Sequence, residues 1–128
     1  MRVRPSTRPT RLVSARESGY NIARMRYEII LALEAVDDLE SLKAYARAEV
    51  RDAMEQHLLH EPTKVSRSRI KRLRGLSRPQ YRLRVGDDVR VFYDVREDAV
   101  EVLAIVTKSE ADQWLQRHGE SNEGSQSV

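Results

Sequence analysis

The 128-residue sequence contains no cysteine. That excludes a disulfide framework, a thiol nucleophile and a Cys-ligated zinc site together, and it fits a reducing, cytoplasmic setting. Long apolar runs are also absent. Runs such as Ile29–Leu33 and Val102–Val106 fall far short of the roughly 20 residues that a membrane-spanning helix needs, so no membrane partner is expected. No internal repeat is visible, and the N-terminal stretch lacks an apolar segment of the secretory kind. His57 and His60 are spaced for one helix face, but no further ligands join them, so neither a metal nor another cofactor is expected.

What is present is charge, unevenly placed. Hydrophobic residues make up 40% and charged residues 34%, which suits a folded, heavily charged domain. The net charge of +3 conceals four blocks. Residues 1–26 carry +6, residues 27–63 carry −6, residues 64–90 carry +8 and residues 91–128 carry −5. Two basic blocks separated by acidic ones suggest a protein that meets a polyanion with one surface; the alternative is a solvated charged surface.

Residues 1–24 are rich in Arg, Ser, Thr and Pro and read as a flexible arm. An organelle transit peptide, or a true start at Met25, are the alternatives. RYEIIL (Arg26–Leu31) alternates as a β-strand. About thirty residues of helical character follow, with a break near Lys43–Ala46 that suggests a two-helix hairpin closed by Pro62. Thr63–Gln80 is a basic connector, pinned by Ile70, Leu73 and Leu76. Three strands come next, Tyr81–Val85, Val89–Val95 and Ala99–Val106, then a short helix opened by a Thr107/Glu110 capping box and docked by Trp114. The polar tail 119–128 is expected to be disordered. The class is α+β: an N-terminal strand, a two-helix hairpin, a three-stranded antiparallel sheet and a short C-terminal helix, with the helices on one face, all within residues 25–118.

The stretch LRVGDDVRVFYDV sets a register. With Gly86–Asp88 as a three-residue loop, Val85 faces Val89, Leu83 faces Val91 and Tyr81 faces Tyr93, giving one apolar face. The other face then holds Arg84 opposite Arg90 and Arg82 opposite Phe92. A two-residue loop would mix the faces. The common three-residue loop wants a left-handed last residue, here Asp88. Opposed like charges destabilise a sheet by a few tenths to about 1 kcal/mol. Either the long stems splay into solvent, or the face binds anions, for which the planar guanidinium fork is suited. With Lys71, Arg72 and Arg74 from the connector, and Phe92 available for base stacking, the face reads as a nucleic-acid groove. Tyr81 and Tyr93 fall on the core side.

RLRGL (Arg72–Leu76), YRLRVGDDVRVFYDV (Tyr81–Val95) and VEVLAIVTKSEADQWL (Val100–Leu115) together resemble the RelE/ParE superfamily of toxins from type II toxin–antitoxin systems. The resemblance covers residues 25–118. It implies a compact α+β toxin fold and a cognate antitoxin that covers the basic face. It also implies, for RelE-type members, cleavage of mRNA on the ribosome, with 2′-hydroxyl attack on the adjacent phosphate. ParE-type members inhibit DNA gyrase instead, and a non-catalytic nucleic-acid-binding relative is a third outcome. By the resemblance, Arg90 lies where the family arginine meets the scissile phosphate, Arg82 and Arg84 fall where RelE-type nucleases place basic residues on the second strand, and Lys108 stands in for a second catalytic arginine; Arg84 and Arg90 would grip the phosphate with Arg82 and Lys108 assisting. Arg82, Lys71, Arg72, Arg74 and Phe92 would hold RNA. The family's C-terminal tyrosine falls near Trp114–Leu115, and no His sits on the hairpin, so no residue is assigned to proton transfer.

Overall fold

The structure is a computed structural model that describes residues 26–121 and the backbone of residues 2–3. The rest of the expected N-terminal arm, and the tail beyond Ser121, lie outside the described residues. Along the chain come β1 (Arg2–Val3), β2 (Glu28–Leu31), α1 (Leu33–Ser41), α2 (Ala44–Leu58), β3 (Ile70–Arg72), β4 (Leu76–Arg78), β5 (Tyr81–Val85), β6 (Val89–Arg96), β7 (Ala99–Thr107), α3 (Lys108–His118) and β8 (Glu120–Ser121).

The α+β class holds, and the sheet is wider than three strands. Six strands lie in the order β1-β2-β7-β6-β5-β3. β1 runs parallel to β2 and β2 parallel to β7, while β7, β6, β5 and β3 are antiparallel neighbours. A separate two-stranded ladder joins β4 to β8, so the domain reaches past His118 into the stretch expected as tail. β3 lies inside the supposed connector. Its three residues are too few to show alternation, and its two bases point to opposite faces.

The α1–α2 hairpin covers one face of the sheet. There Ala35, Leu39, Val50, Met54 and Leu58 pack with Ile29, Leu31, Leu83, Val91, Tyr93 and Val102 in one buried cluster. Tyr93 is fully buried, stacks on Tyr81 with centroids 5.5 Å apart, and donates its hydroxyl to Pro62 O at 2.6 Å. The expectation that all helices share this face is corrected by α3, which crosses the opposite face and stacks Trp114 on Phe92, centroids 5.0 Å apart.

A bulge between Phe92 and Tyr93 explains how β7 feeds both faces. Phe92 pairs with Ala104 but Tyr93 pairs with Val102, which leaves Leu103 as the extra residue. Alternation therefore reverses within VEVLAIV, and both faces of the strand become apolar beneath their helices.

Two local expectations are also corrected. The left-handed residue of the β5–β6 loop is Gly86 (φ 58°), the first loop position, where the missing Cβ removes the penalty; Asp88 is not called on. The capping box does not close. Thr107 sits at the N-cap, but its hydroxyl meets Ser109 Oγ at 3.2 Å, and the first helical N–H, of Lys108, is satisfied by Asp88 O at 2.7 Å.

Candidate nucleic-acid interface

The β5–β6 pairing has the register read from the sequence: Val85 with Val89, Arg84 with Arg90, Leu83 with Val91, Arg82 with Phe92, Tyr81 with Tyr93. The face away from α1 and α2 is therefore organised in cross-strand rows. One row runs Arg84–Arg90–Val106, and the next runs Lys71–Arg82–Phe92–Ala104. α3 lies over the Phe92 side, which leaves the cationic side chains toward β5 and β3.

Each arginine is held differently. Arg90 is 7% exposed, and its Nη1 donates to Val89 O at 3.0 Å and Asp87 O at 3.3 Å. Arg84 donates from Nε to Gly86 O at 3.2 Å and pairs through Nη2 with Asp87 Oδ1 at 2.9 Å. Asp87, at the hairpin tip, thus holds both arginines. Arg82 is half-buried, and its Nε is a buried donor with no hydrogen-bond partner. Burial, then the charges of Arg90 and Arg84, push the Arg82 pKa down. Burial, then Arg84, does the same to Arg90, with Asp87 and Asp88 opposing. An anion on this face would relieve both strains, because it favours the charged guanidinium.

The next row is acidic and internally compensated. Asp94 is buried, accepts the Gln80 N–H at 2.8 Å and faces Arg78 Nε at 3.4 Å; Arg78 also reaches Glu101 at 3.8 Å. Gln80 returns the contact by accepting the Val95 N–H at 2.9 Å. Charge on the face is therefore segregated along the strands, basic near the hairpin tip and neutralised at the other end.

The structure brings some expected site residues together and not others. Arg82, Arg84, Arg90 and Lys71 share the rows. Lys108 is exposed and opens α3 beside the same hairpin tip, to which its N–H is bonded. Arg72 faces the other way: it pairs with Tyr81, lies 5.1 Å over that ring and donates to Gln80 O at 2.8 Å. Arg74 lies in the turn after β3, beyond the acidic row. Phe92 is fully buried under Trp114, so its ring is not on offer to a base. Asp87 and Arg69 were not singled out in the sequence. Asp87 was one of two adjacent loop acids, and Arg69 was one of many connector bases. Arg69 O in fact accepts the Arg84 N–H at 2.9 Å. Among the described residues, no cluster of three or more metal-ligating side chains exists, and no helix is long and apolar enough to cross a membrane.

A profile of the ParE toxin of type II toxin–antitoxin systems matches residues 29–112, from β2 into α3. The chain belongs to this toxin family. The match contains both basic rows of the toxin. The fold is shared with the RelBE2 toxin–antitoxin complex from Mycobacterium tuberculosis, at 22% identity and a TM-score of 0.54 over 66% of this chain and 94% of that one. It is shared too with the RelB–RelE antitoxin–toxin complex from Methanococcus jannaschii, at 19% identity and a TM-score of 0.52 over 66% of this chain and 95% of that one. No curated protein matches the toxin significantly. The RelE/ParE resemblance read from Arg72–Leu76, Tyr81–Val95 and Val100–Leu115 is thereby confirmed at the level of family and fold.

Proposed function

We propose that this toxin holds an mRNA phosphate on the basic rows and promotes cleavage there on the ribosome, and that a cognate antitoxin covers the same rows when the toxin is inactive. The observation that carries the proposal is the grouping of Arg82, Arg84 and Arg90 on two adjacent rows, with the Arg82 Nε buried and unpartnered. Such a group is stabilised by an anion with several acceptor oxygens. In transesterification the 2′-hydroxyl gives its proton to solvent as its oxygen bonds to phosphorus, the bond from phosphorus to the 5′-oxygen breaks, the departing 5′-oxygen takes a proton from solvent, and negative charge builds on the phosphoryl oxygens in between. Arg84 and Arg82 stabilise that charge, Arg90 fixes the hairpin tip that presents them, and Lys108 adds a cation from the start of α3. The chain's contribution is positioning and electrostatics.

A second reading is ParE-like inhibition of DNA gyrase. The family match favours it, and so does the composition of the rows, which carry no His or Tyr to move a proton. An arginine does not deprotonate near neutrality.

Both are tested with one preparation. In a translating extract, the first reading expects new mRNA ends within translated codons, reduced about 10²-fold by Arg84→Ala. Intact mRNA with blocked DNA supercoiling would replace it with the second reading. Intact mRNA with normal supercoiling would leave a non-catalytic nucleic-acid binder.

A further inference from the structure

Beyond the outer edge of the sheet, a cleft of about 320 Å³ opens between the C-terminal end of α2 and the loop that leads into β3. Gln56 and His57 line it from the helix and His60 from the turn that follows it; Lys64, Ser68 and Arg69 line it from the loop. The loop is held by its own hydrogen bonds. Ser66 Oγ accepts from Arg69 N at 3.1 Å and Ile70 N at 3.3 Å, and Ser66 N donates to Ile70 O at 2.9 Å. The cleft is therefore shaped before any ligand arrives. Its cations are Lys64 and Arg69. Its one carboxylate, Glu61, is engaged by Lys64 at 3.7 Å in an exposed, easily exchanged pair.

Position links this cleft to the basic rows. Arg69 is bonded through its backbone to Arg84, and its side chain lines the cleft. Lys71, two residues on, stands beside Arg82 on the outer face. The short strand β3 thus has the cleft at its leading end and the row cations on its outer face. A nucleic-acid strand laid across the rows would meet the cleft on passing the sheet edge.

We propose that the cleft is a second phosphate subsite, in which Arg69 and Lys64 hold a backbone phosphate of the same RNA strand that crosses the Arg82–Arg84–Arg90 face. The inference rests on the RNA reading above. His57 supplies an internal reporter. Burial and then the Arg69 charge hold its imidazole below the ordinary value. The charged and titratable groups that share the cleft with it are His60 from the turn after α2 and Glu61, Lys64 and Arg69 from the loop. A phosphate held by Arg69 and Lys64 neutralises the Arg69 charge, offsets the second cause and raises the His57 pKa. Binding then strengthens as pH falls, by the reciprocity of linkage.

The test uses the full chain and a 12-nucleotide single-stranded RNA. The variant Lys64→Ala/Arg69→Ala is expected to bind about tenfold more weakly at low salt, and to lower the slope of log affinity against log salt by about 1.4, the value for two contacts to a single strand. The His57 imidazole resonance should titrate at higher pH when RNA or inorganic phosphate is added, with Arg69→Ala abolishing the shift. An unchanged salt slope in the double variant, alongside a reduced slope in Arg82→Ala, would overturn the subsite and leave the RNA reading standing. If Arg82→Ala is also without effect, the RNA reading itself falls. Arg69-dependent binding of an acidic peptide, with no such dependence for RNA, would reassign the cleft to a protein partner.

Discussion

Asp94 is a buried carboxylate with opposing influences on its charge. Burial raises its pKa above 3.8, the Gln80 N–H and Arg78 oppose that, and Glu101 adds to it. Because burial dominates, the folded protein holds this proton at pH values where the unfolded chain has released it. Stability from this group is therefore lost as pH rises from about 3.8 through the raised folded value, and is constant above it. Asp38 has the same sign, again from burial, though the Ile105 N–H opposes the shift. In Asp94→Asn the side-chain carbonyl can still accept from Gln80 while the titration disappears. The drop in urea midpoint as pH rises from 3.5 to 7.5 should be smaller in the variant than in the wild type; an equal drop would show that Asp94 does not carry a raised pKa in the folded protein.

Among the elements, the turn between β6 and β7 is strained at one residue. Glu97 has φ 52°, a left-handed conformation that a residue with a Cβ adopts at a penalty. Glu97→Gly removes the penalty but adds freedom to the unfolded chain. The net gain is about 0.5 kcal/mol, seen as a rise of about 2–4 °C in Tm. A fall in Tm would mean that Glu97 makes a compensating contact. α3 offers a larger effect. Trp114 is what covers Phe92, so Trp114→Ala should destabilise by about 3 kcal/mol, read from the urea midpoint at constant slope. A loss under 1 kcal/mol would mean that α3 is dispensable to the sheet.

These elements also show where the sequence was informative. On both sides of Gly86–Asp88 the stretch Tyr81–Val95 places an apolar residue at every second position, so one face has to be apolar, and that requirement alone selects the three-residue loop and opposes Arg84 to Arg90. β3 was hidden, because Ile70–Arg72 is too short for a period and is embedded in bases. α3 was recognisable as a helix, but nothing in KSEADQWL says which face of the sheet it covers. The answer depends on the bulge at Leu103, a feature of pairing and not of composition. For the same reason alternation places Phe92 on the correct face without revealing that Trp114 covers it there. Alternation in so short a strand does not separate Arg72 from Lys71, and only the pairing with Tyr81 turns it to the other face.

At the scale of the molecule, the block of ten bases in residues 64–90 is spread over β3, β4, β5, the start of β6 and their connecting loops, whereas the acidic block of residues 27–63 spans β2 and the α1–α2 hairpin. One side of the sheet edge therefore invites a polyanion and the helical side does not. The other margin is closed by a different device. β2 pairs β7 only as far as Leu31 and Val102, yet β7 continues to Thr107. Beyond that point Asp38, from α1, accepts the Ile105 N–H at 2.9 Å in place of a neighbouring strand. A helix side chain thereby completes the margin of the sheet and keeps another chain's strand from docking there. In hydrogen–deuterium exchange, the Ile105 amide should keep its proton as long as the amides between β6 and β7. Asp38→Ala should shorten that lifetime by at least tenfold while the β5–β6 amides are unaffected, so α1 sets how often this margin of the sheet opens to solvent.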